Sequence, residues 1–192
     1  MNPENPNFID KNSKWEEERN EVNKIVDRLG NPIDEGIKET VIALRIFGLE
    51  TTGSCEGHLE RGLPYPWVDI GTDPPEDWDP NIQDETQRKI EAEWKRKNFQ
   101  QREKIIDLLN EFYRKRLEQG EFDYQSQLII SDIGIFGGFR FQSLGASTFE
   151  LKVERLRSEA EEIAPEIQQE FERYRQEMQS FTQFLKKKFF EN

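Results

Sequence analysis

Two long segments of the chain, residues 84–117 and 155–189, carry apolar residues mostly every three or four positions within a strongly charged sequence, although Phe99 is the only apolar residue between Lys95 and Lys104. This spacing places the apolar side chains on one narrow face of a helix. We predict a kink near Pro165 in the second helix, because proline removes a backbone donor. The two segments make up more than a third of the 192 residues, so the fold has to accommodate two long charged helices.

Shorter periodic segments complete the predicted fold. Residues 13–29 and 32–47 have helical spacing and end at Gly30 and Gly48, where glycine typically stops a helix. β-Branched residues or strict alternation predict strands at 49–54, 67–70, 127–130, 135–142 and 149–153. The predicted class is α+β: a small, mainly antiparallel sheet of about five strands, with helices packed on one side.

Composition bounds the domain organisation and the compartment. Residues 1–12 are rich in Asn and Pro and are predicted to form a flexible arm, with one α+β domain over residues 13–192. An aromatic content of 11% argues against disorder, and a single cysteine excludes an intrachain disulfide. We expect a soluble, cytoplasmic protein, because no apolar run suits a membrane span and the N-terminal sequence does not resemble a signal peptide.

The charge of the chain bears on its partners. The formal net charge is −12, from 27 basic and 39 acidic residues. Nonspecific nucleic-acid binding depends on neutralising phosphates with basic side chains. An acidic protein therefore makes nucleic acid an unfavourable partner, and no membrane partner is expected.

One segment, TTGSCEGHLERGLPYPWVDI at residues 51–70, concentrates residues with chemical potential. The only cysteine and the only histidine of the chain, Cys55 and His58, lie three positions apart. Gly53 and Gly57 flank the cysteine, and glycine permits positive φ or a close approach of the backbone to a ligand. The segment is therefore the predicted functional site.

Four interpretations of this segment remain open. Cys55 and His58 are a catalytic pair if the imidazole activates the thiol as a nucleophile. They are metal ligands if Glu56, Glu60 or Asp69 completes a site, with the metal unknown. Alternatively, the loop binds a small polar or anionic molecule through Ser54, Glu56, Gly57, Arg61 and Trp67. The purely structural interpretation makes Cys55 a small buried side chain and the glycines a tight turn.

The same segment carries a family resemblance. Thr51, Thr52, Ser54, Cys55 and Gly57, after an apolar helix, resemble the T-T-S-S-C-S-G-R motif of the wyosine-tRNA methyltransferase family. That family uses S-adenosylmethionine to methylate a modified guanosine in tRNA, and its motif loop lies at the active region. The segment also resembles SCEGH segments in uncharacterised bacterial and phage proteins. The resemblance implies the location of a site rather than its reaction.

Two functions from different classes follow from these patterns. The first is a small-molecule or nucleotide-binding protein, either a binding protein alone or an enzyme, with its site in residues 51–67 and no cofactor specified. The alternative is an interaction or scaffold protein that self-associates or binds a partner through residues 84–117 and 155–189. The narrow apolar stripes of those two helices motivate the alternative, because such stripes form seams between helices.

Overall fold

A computed structural model describes residues 10–120, 122–159 and 162–191 of the chain. These residues form an α+β structure of five helices and one four-stranded sheet. The elements in chain order are α1 (Lys11–Val22), α2 (Glu35–Ile46), β1 (Thr51–Cys55), β2 (Trp67–Ile70), α3 (Glu85–Gln119), β3 (Leu128–Ile133), β4 (Gly138–Ser143), α4 (Ala146–Glu159) and α5 (Pro165–Glu191).

The sheet is antiparallel throughout, with strand order β1-β2-β4-β3. Val68 pairs with Phe141, which in turn pairs with Ile130. Because side chains alternate along a strand, Val68, Ile70 and Phe141 share one face, whereas Trp67 and Asp69 lie on the other. The predicted antiparallel sheet is confirmed, but it has four strands among the described residues rather than five.

The main core lies between the apolar face of the sheet and helices α1, α2, α3 and α5. Ile37, Val68, Phe141 and Phe181 are fully buried in it. A second, smaller cluster joins Leu59 and Tyr65 of the loop after β1 to residues of α4 and α5, and Trp67 packs against it. This second cluster anchors the predicted functional segment to the rest of the molecule.

The apolar stripes of α3 and α5 face the interior. Ile105 of α3 and Leu185 of α5 have no exposed surface, and the rings of Phe112 and Phe181 lie 5.3 Å apart between their centroids. The predicted self-association through residues 84–117 and 155–189 required these apolar stripes to be exposed, but they are buried within one chain. Oligomerisation through these helices stays a prediction that the packing does not support.

The fifth predicted strand, residues 149–153, is wrong, because these residues belong to α4. Phe149, Val153 and Leu156 are buried at helical spacing, whereas Leu151 is 69% exposed. The predicted kink at Pro165 is also wrong: α4 ends at Glu159, and a separate helix begins at Pro165. Proline fits the first position of a helix because its missing N–H has no partner there.

The first helix differs from its prediction at both ends. It begins at Lys11 with Asp10 as its N-cap, so residues 11 and 12 do not belong to an arm, while residues 1–9 lie outside the described residues. It ends at Val22 rather than Leu29. The Asp27 carboxylate accepts hydrogen bonds from the backbone N–H groups of Leu29 and Asn31, which favours a turn over a helix.

Helix α3 spans nearly the predicted range, and polar side chains hold its middle, where the apolar stripe thins, against the rest of the molecule. Asn98 and Gln101 are buried there despite being polar. Asn98 donates to the carbonyl of Phe136, and Gln101 accepts from the backbone N–H of Glu50. These side chains replace the missing apolar stripe and satisfy the backbone of two loops. Within the described part of the chain, no helix has the length and apolar content needed to cross a bilayer.

Candidate functional site

Three elements bring Asp34, Cys55 and His58 together. Cys55 is the last residue of β1, His58 follows in the loop after it, and Asp34 is the N-cap of α2. One ligand atom from each of the three residues lies within 4.8 Å of the other two, and His58 Nε2 is 3.5 Å from Asp34 Oδ2. We call these three residues the Asp-Cys-His cluster. The structure thus brings the Cys55 and His58 side chains close together, an arrangement that their spacing of three residues left open.

Asp34 occupies an N-cap position without capping its helix. An aspartate there normally accepts a hydrogen bond from an N–H in the first turn, but the Asp34 side chain makes no such bond. Glu56 takes over this role, since its Oε2 accepts from the backbone N–H of Gly36 at 2.7 Å. Asp34 Oδ2 instead accepts from the backbone N–H of Glu56 at 3.2 Å. The exchange directs the Asp34 carboxylate toward Cys55 and His58.

Gly57 fixes the backbone between the cysteine and the histidine. Its φ of +83° lies in the left-handed region, and a Cβ added there would sit 2.6 Å from the carbonyl carbon of Tyr65. Its backbone N–H donates to Cys55 Sγ at 3.3 Å. Close backbone approach and positive φ, both expected of glycine here, therefore occur at Gly57.

Arg157 of α4 holds the loop that carries His58. Its guanidinium donates to three backbone carbonyls, those of His58 at 2.7 Å, Leu59 at 2.8 Å and Gly62 at 2.8 Å. The backbone N–H of His58 also donates to the carbonyl of Leu63 at 3.1 Å. The loop is thus tied to α4 by a rigid, forked donor.

The electrostatics of the cluster do not favour a thiolate. Burial raises the pKa of Cys55, and the Asp34 carboxylate adds to this effect, while the N–H of Gly57 opposes it. His58 Nε2 is next to Asp34, and a carboxylate beside the thiol is the opposite of the cationic neighbour that activates a cysteine. The catalytic role of Cys55 and His58 stays a prediction that this geometry does not support.

The carboxylates that the sequence offered as further metal ligands lie outside the cluster. Asp69 accepts hydrogen bonds from Nε and Nη2 of Arg140, at 2.7 and 2.9 Å, and Glu60 is exposed. Glu56 is committed to the N-terminus of α2. Asp34, which lies 21 positions before Cys55, takes the place that they were expected to fill.

A groove of about 770 Å³ lies beside the cluster. The α1–α2 connection forms one wall, and β1 with the loop after it forms the other. Of the predicted ligand-binding residues, Ser54, Arg61 and Trp67 line the groove, whereas Glu56 and Gly57 do not. Its lining is Ile25, Val26, Asp27, Asn31, Pro32, Ile33, Asp34, Glu35, Thr51, Thr52, Gly53, Ser54, Arg61 and Trp67. Asp34 therefore belongs to both the groove and the Asp-Cys-His cluster.

Most charges of the groove already have local partners. Asp27 is bound by the N–H groups of its own turn, and Glu35 pairs with Lys38 in the next turn of α2. Arg61 is exposed and has no ion pair or hydrogen bond from its guanidinium among the described residues. Arg61 is therefore the one basic residue of the groove lining, beside the carboxylates of Asp27, Asp34 and Glu35.

The sequence did not identify Asp34 and Arg157 as site residues. Asp34 had a local signal, because an aspartate after Asn31-Pro32 marks the start of a helix, but that signal predicts a cap. Nothing local marks Arg157, which is one of two arginines on α4. Both contacts depend on how α2 and α4 pack around the loop.

Comparisons with protein-family models, curated proteins and solved structures find no match to this chain. The likeness of residues 51–58 to the methyltransferase motif therefore stays a prediction.

Proposed function

We propose that the protein binds a small polar molecule with an anionic group in the groove between the α1–α2 connection and β1. The observation that carries this proposal is Arg61, a cation without a protein partner among the described residues, on the wall of a concave site. Arginine binds carboxylates and phosphates through two parallel hydrogen bonds, which makes it a suitable anchor for such a group.

The remaining walls support a ligand with a polar and an apolar part. Thr51, Thr52 and Ser54 line one wall, and Ile25 and Ile33 supply apolar surface on the other. A volume of about 770 Å³ falls within the usual range of about 300–1,000 Å³ for small-molecule sites. A mononucleotide or a molecule of similar size suits a groove of this kind.

Titration calorimetry with defined probes tests the proposal: inorganic phosphate, citrate, adenosine, AMP and ATP. We expect at least one anionic probe to bind, and AMP to bind more tightly than adenosine if a nucleoside occupies the apolar wall. Arg61→Gln should weaken that binding by at least about tenfold, since a charge-assisted pair contributes about 1.5–3 kcal/mol.

Arg88→Gln is the matched control, because Arg88 is also exposed but lies on α3 outside the groove. It should bind the same probe as the wild type does. The proposal is overturned if no anionic probe binds, or if Arg61→Gln and Arg88→Gln bind equally well.

A further inference from the structure

We infer that Asp34, Cys55 and His58 form a binding site for a divalent transition metal of the zinc type, at the edge of the groove. The inference goes beyond the proposed function and does not depend on it, because Arg61 takes no part in the cluster. It rests on the geometry of three side chains, on the type of their donor atoms and on the contacts that orient them.

The distances fit tetrahedral coordination after small movements. Zinc–ligand distances of about 2.0–2.3 Å separate a bound imidazole nitrogen from a bound carboxylate oxygen by about 3.3 Å in a tetrahedral site. His58 Nε2 and Asp34 Oδ2 are 3.5 Å apart. A bound sulfur lies about 3.6 Å from each other ligand in such a site. The Cys55 sulfur already lies within 4.8 Å of both partners, so side-chain rotation is enough to close the site.

The donor set selects the class of metal. One sulfur, one nitrogen and one oxygen suit a borderline cation such as Zn²⁺ or Co²⁺, whereas Mg²⁺ and Ca²⁺ require oxygen donors. The thiol loses its proton to solvent when the sulfur binds the metal. Three protein ligands leave one coordination position open, which is the arrangement of reactive rather than structural zinc sites.

Outer contacts already orient two of the three donor atoms. The Gly57 N–H donates to Cys55 Sγ, and the Glu56 N–H donates to Asp34 Oδ2. Metal sites characteristically hold their ligands through such second contacts. The exchange of caps between Asp34 and Glu56 has the same effect, because Glu56 satisfies α2 while Asp34 is directed to the cluster.

The cluster is accessible to an ion from solvent. The side chains of His58 and Asp34 are 22% and 31% exposed, and Cys55 is partly buried. Asp34 also lines the groove, so the proposed site borders it.

Cobalt spectroscopy on the full chain tests the site. Thiolate-bound tetrahedral Co²⁺ has a charge-transfer band in the near ultraviolet and intense d–d bands in the visible region. Because the chain has one cysteine and one histidine, the charge-transfer band can come only from Cys55. We expect these bands to saturate at one Co²⁺ per chain and to disappear when Zn²⁺ is added.

Variants assign the remaining ligands. Asp34→Asn and His58→Gln should weaken Co²⁺ binding by more than about tenfold, since loss of an outer partner alone costs about 10–100-fold. Cys55→Ser should abolish the charge-transfer band. Glu60→Gln is the matched control, because Glu60 is an exposed carboxylate of the same loop outside the cluster, and it should bind Co²⁺ as the wild type does.

A thiol-protection assay on the wild type keeps the test valid if a ligand variant fails to fold. One equivalent of Zn²⁺ should slow the reaction of Cys55 with a thiol reagent, and a chelator should restore it. The inference is overturned if Co²⁺ gives only weak octahedral bands without charge transfer, or if Zn²⁺ leaves the thiol rate unchanged. Either failure leaves anion binding at Arg61 intact, so the two proposals fail separately.

Discussion

At the scale of single residues, Gly57 connects the loop conformation to the cysteine sulfur. Its positive φ turns the chain back on itself, so that its N–H reaches Cys55 and its Cα lies against the backbone of Tyr65. Any side chain here meets two separate penalties, left-handed backbone strain and overlap with the Tyr65 backbone. Gly30 has nearly the same φ, +84°, but open space where a Cβ would lie.

The pair of variants Gly57→Ala and Gly30→Ala separates these penalties. We expect Gly30→Ala to lower the free energy of unfolding by about 1 kcal/mol, the cost of left-handed backbone for alanine. Gly57→Ala should lower it by at least about 1 kcal/mol more, because the Cβ also forces backbone to move. Urea unfolding monitored by circular dichroism measures both values. Equal losses would show that the Tyr65 contact has no energetic weight.

The sequence predicted part of the site at this scale and missed the rest for a physical reason. Cys55, Gly57 and His58 are neighbours in the chain, so their proximity follows from the length of a turn. Asp34 reaches Cys55 only because α2 packs beside β1, and local sequence patterns do not predict that packing. The side-chain direction of Asp34 depends further on Glu56, which replaces it as the helix cap.

At the scale of elements, α4 acts as a support for the site loop. Phe149 and Val153 bury one side of α4, while Arg157 extends from it to the carbonyls of the loop. Tyr65, at the far end of the loop, donates to Glu150 of the same helix at 3.2 Å. Burial and the neighbouring Glu150 charge raise the pKa of Tyr65 to about 12, so the phenol keeps its donor proton at neutral pH.

Arg157→Lys should loosen the loop without disrupting the core. The guanidinium donates to three carbonyls, whereas a single lysine ammonium cannot reach all of them. Each lost hydrogen bond costs about 1 kcal/mol. We expect hydrogen exchange at the His58 amide to become at least about fivefold faster, by local opening. Arg155→Lys, at an exposed position of the same helix, is the control and should leave that rate unchanged. A loop that exchanges equally slowly in both variants would contradict a supporting role for Arg157.

A helix or strand was predicted correctly where the apolar residues of the segment fitted only one spacing, helical or alternating. Residues 85–119 show helical spacing alone, with Asp84 as an N-cap, and the helix was predicted nearly to its ends. Phe149, Leu151 and Val153 alternate as in a strand, yet Phe149, Val153 and Leu156 recur as in a helix. The Gly145 carbonyl, directly after β4, accepts the backbone N–H of Phe149 in the first turn of α4. The helical spacing prevails because it buries both Phe149 and Val153 in the second cluster.

At the scale of the whole molecule, ion pairs connect helices that are distant in sequence. Glu39 of α2 accepts from Arg19 of α1 at 2.8 Å and from Lys186 of α5 at 3.1 Å. Burial raises the pKa of Glu39, but hydrogen bonds from Lys186 and Arg19 outweigh it and hold the pKa below its usual 4.5. In a chain with a net charge of −12, this carboxylate is stabilised because two cations meet at it.

The lowered pKa of Glu39 predicts a specific dependence of stability on acid. A carboxylate with a depressed pKa in the folded state stabilises the fold above its unfolded pKa and loses that contribution as the pH falls through its folded pKa. The difference in unfolding free energy between the wild type and Glu39→Gln should therefore be constant near neutral pH and shrink below about pH 4.5. Acid also relieves the general repulsion of an acidic chain, but it does so in both proteins, so the difference isolates Glu39. Urea unfolding of both proteins between about pH 7 and pH 3 measures this difference. Lys186→Gln removes one of the two cations at Glu39, so it should show a smaller loss of unfolding free energy with the same dependence on pH. A difference that stays constant down to the lowest pH would mean that the ionised Glu39 carboxylate does not stabilise the fold through Arg19 and Lys186.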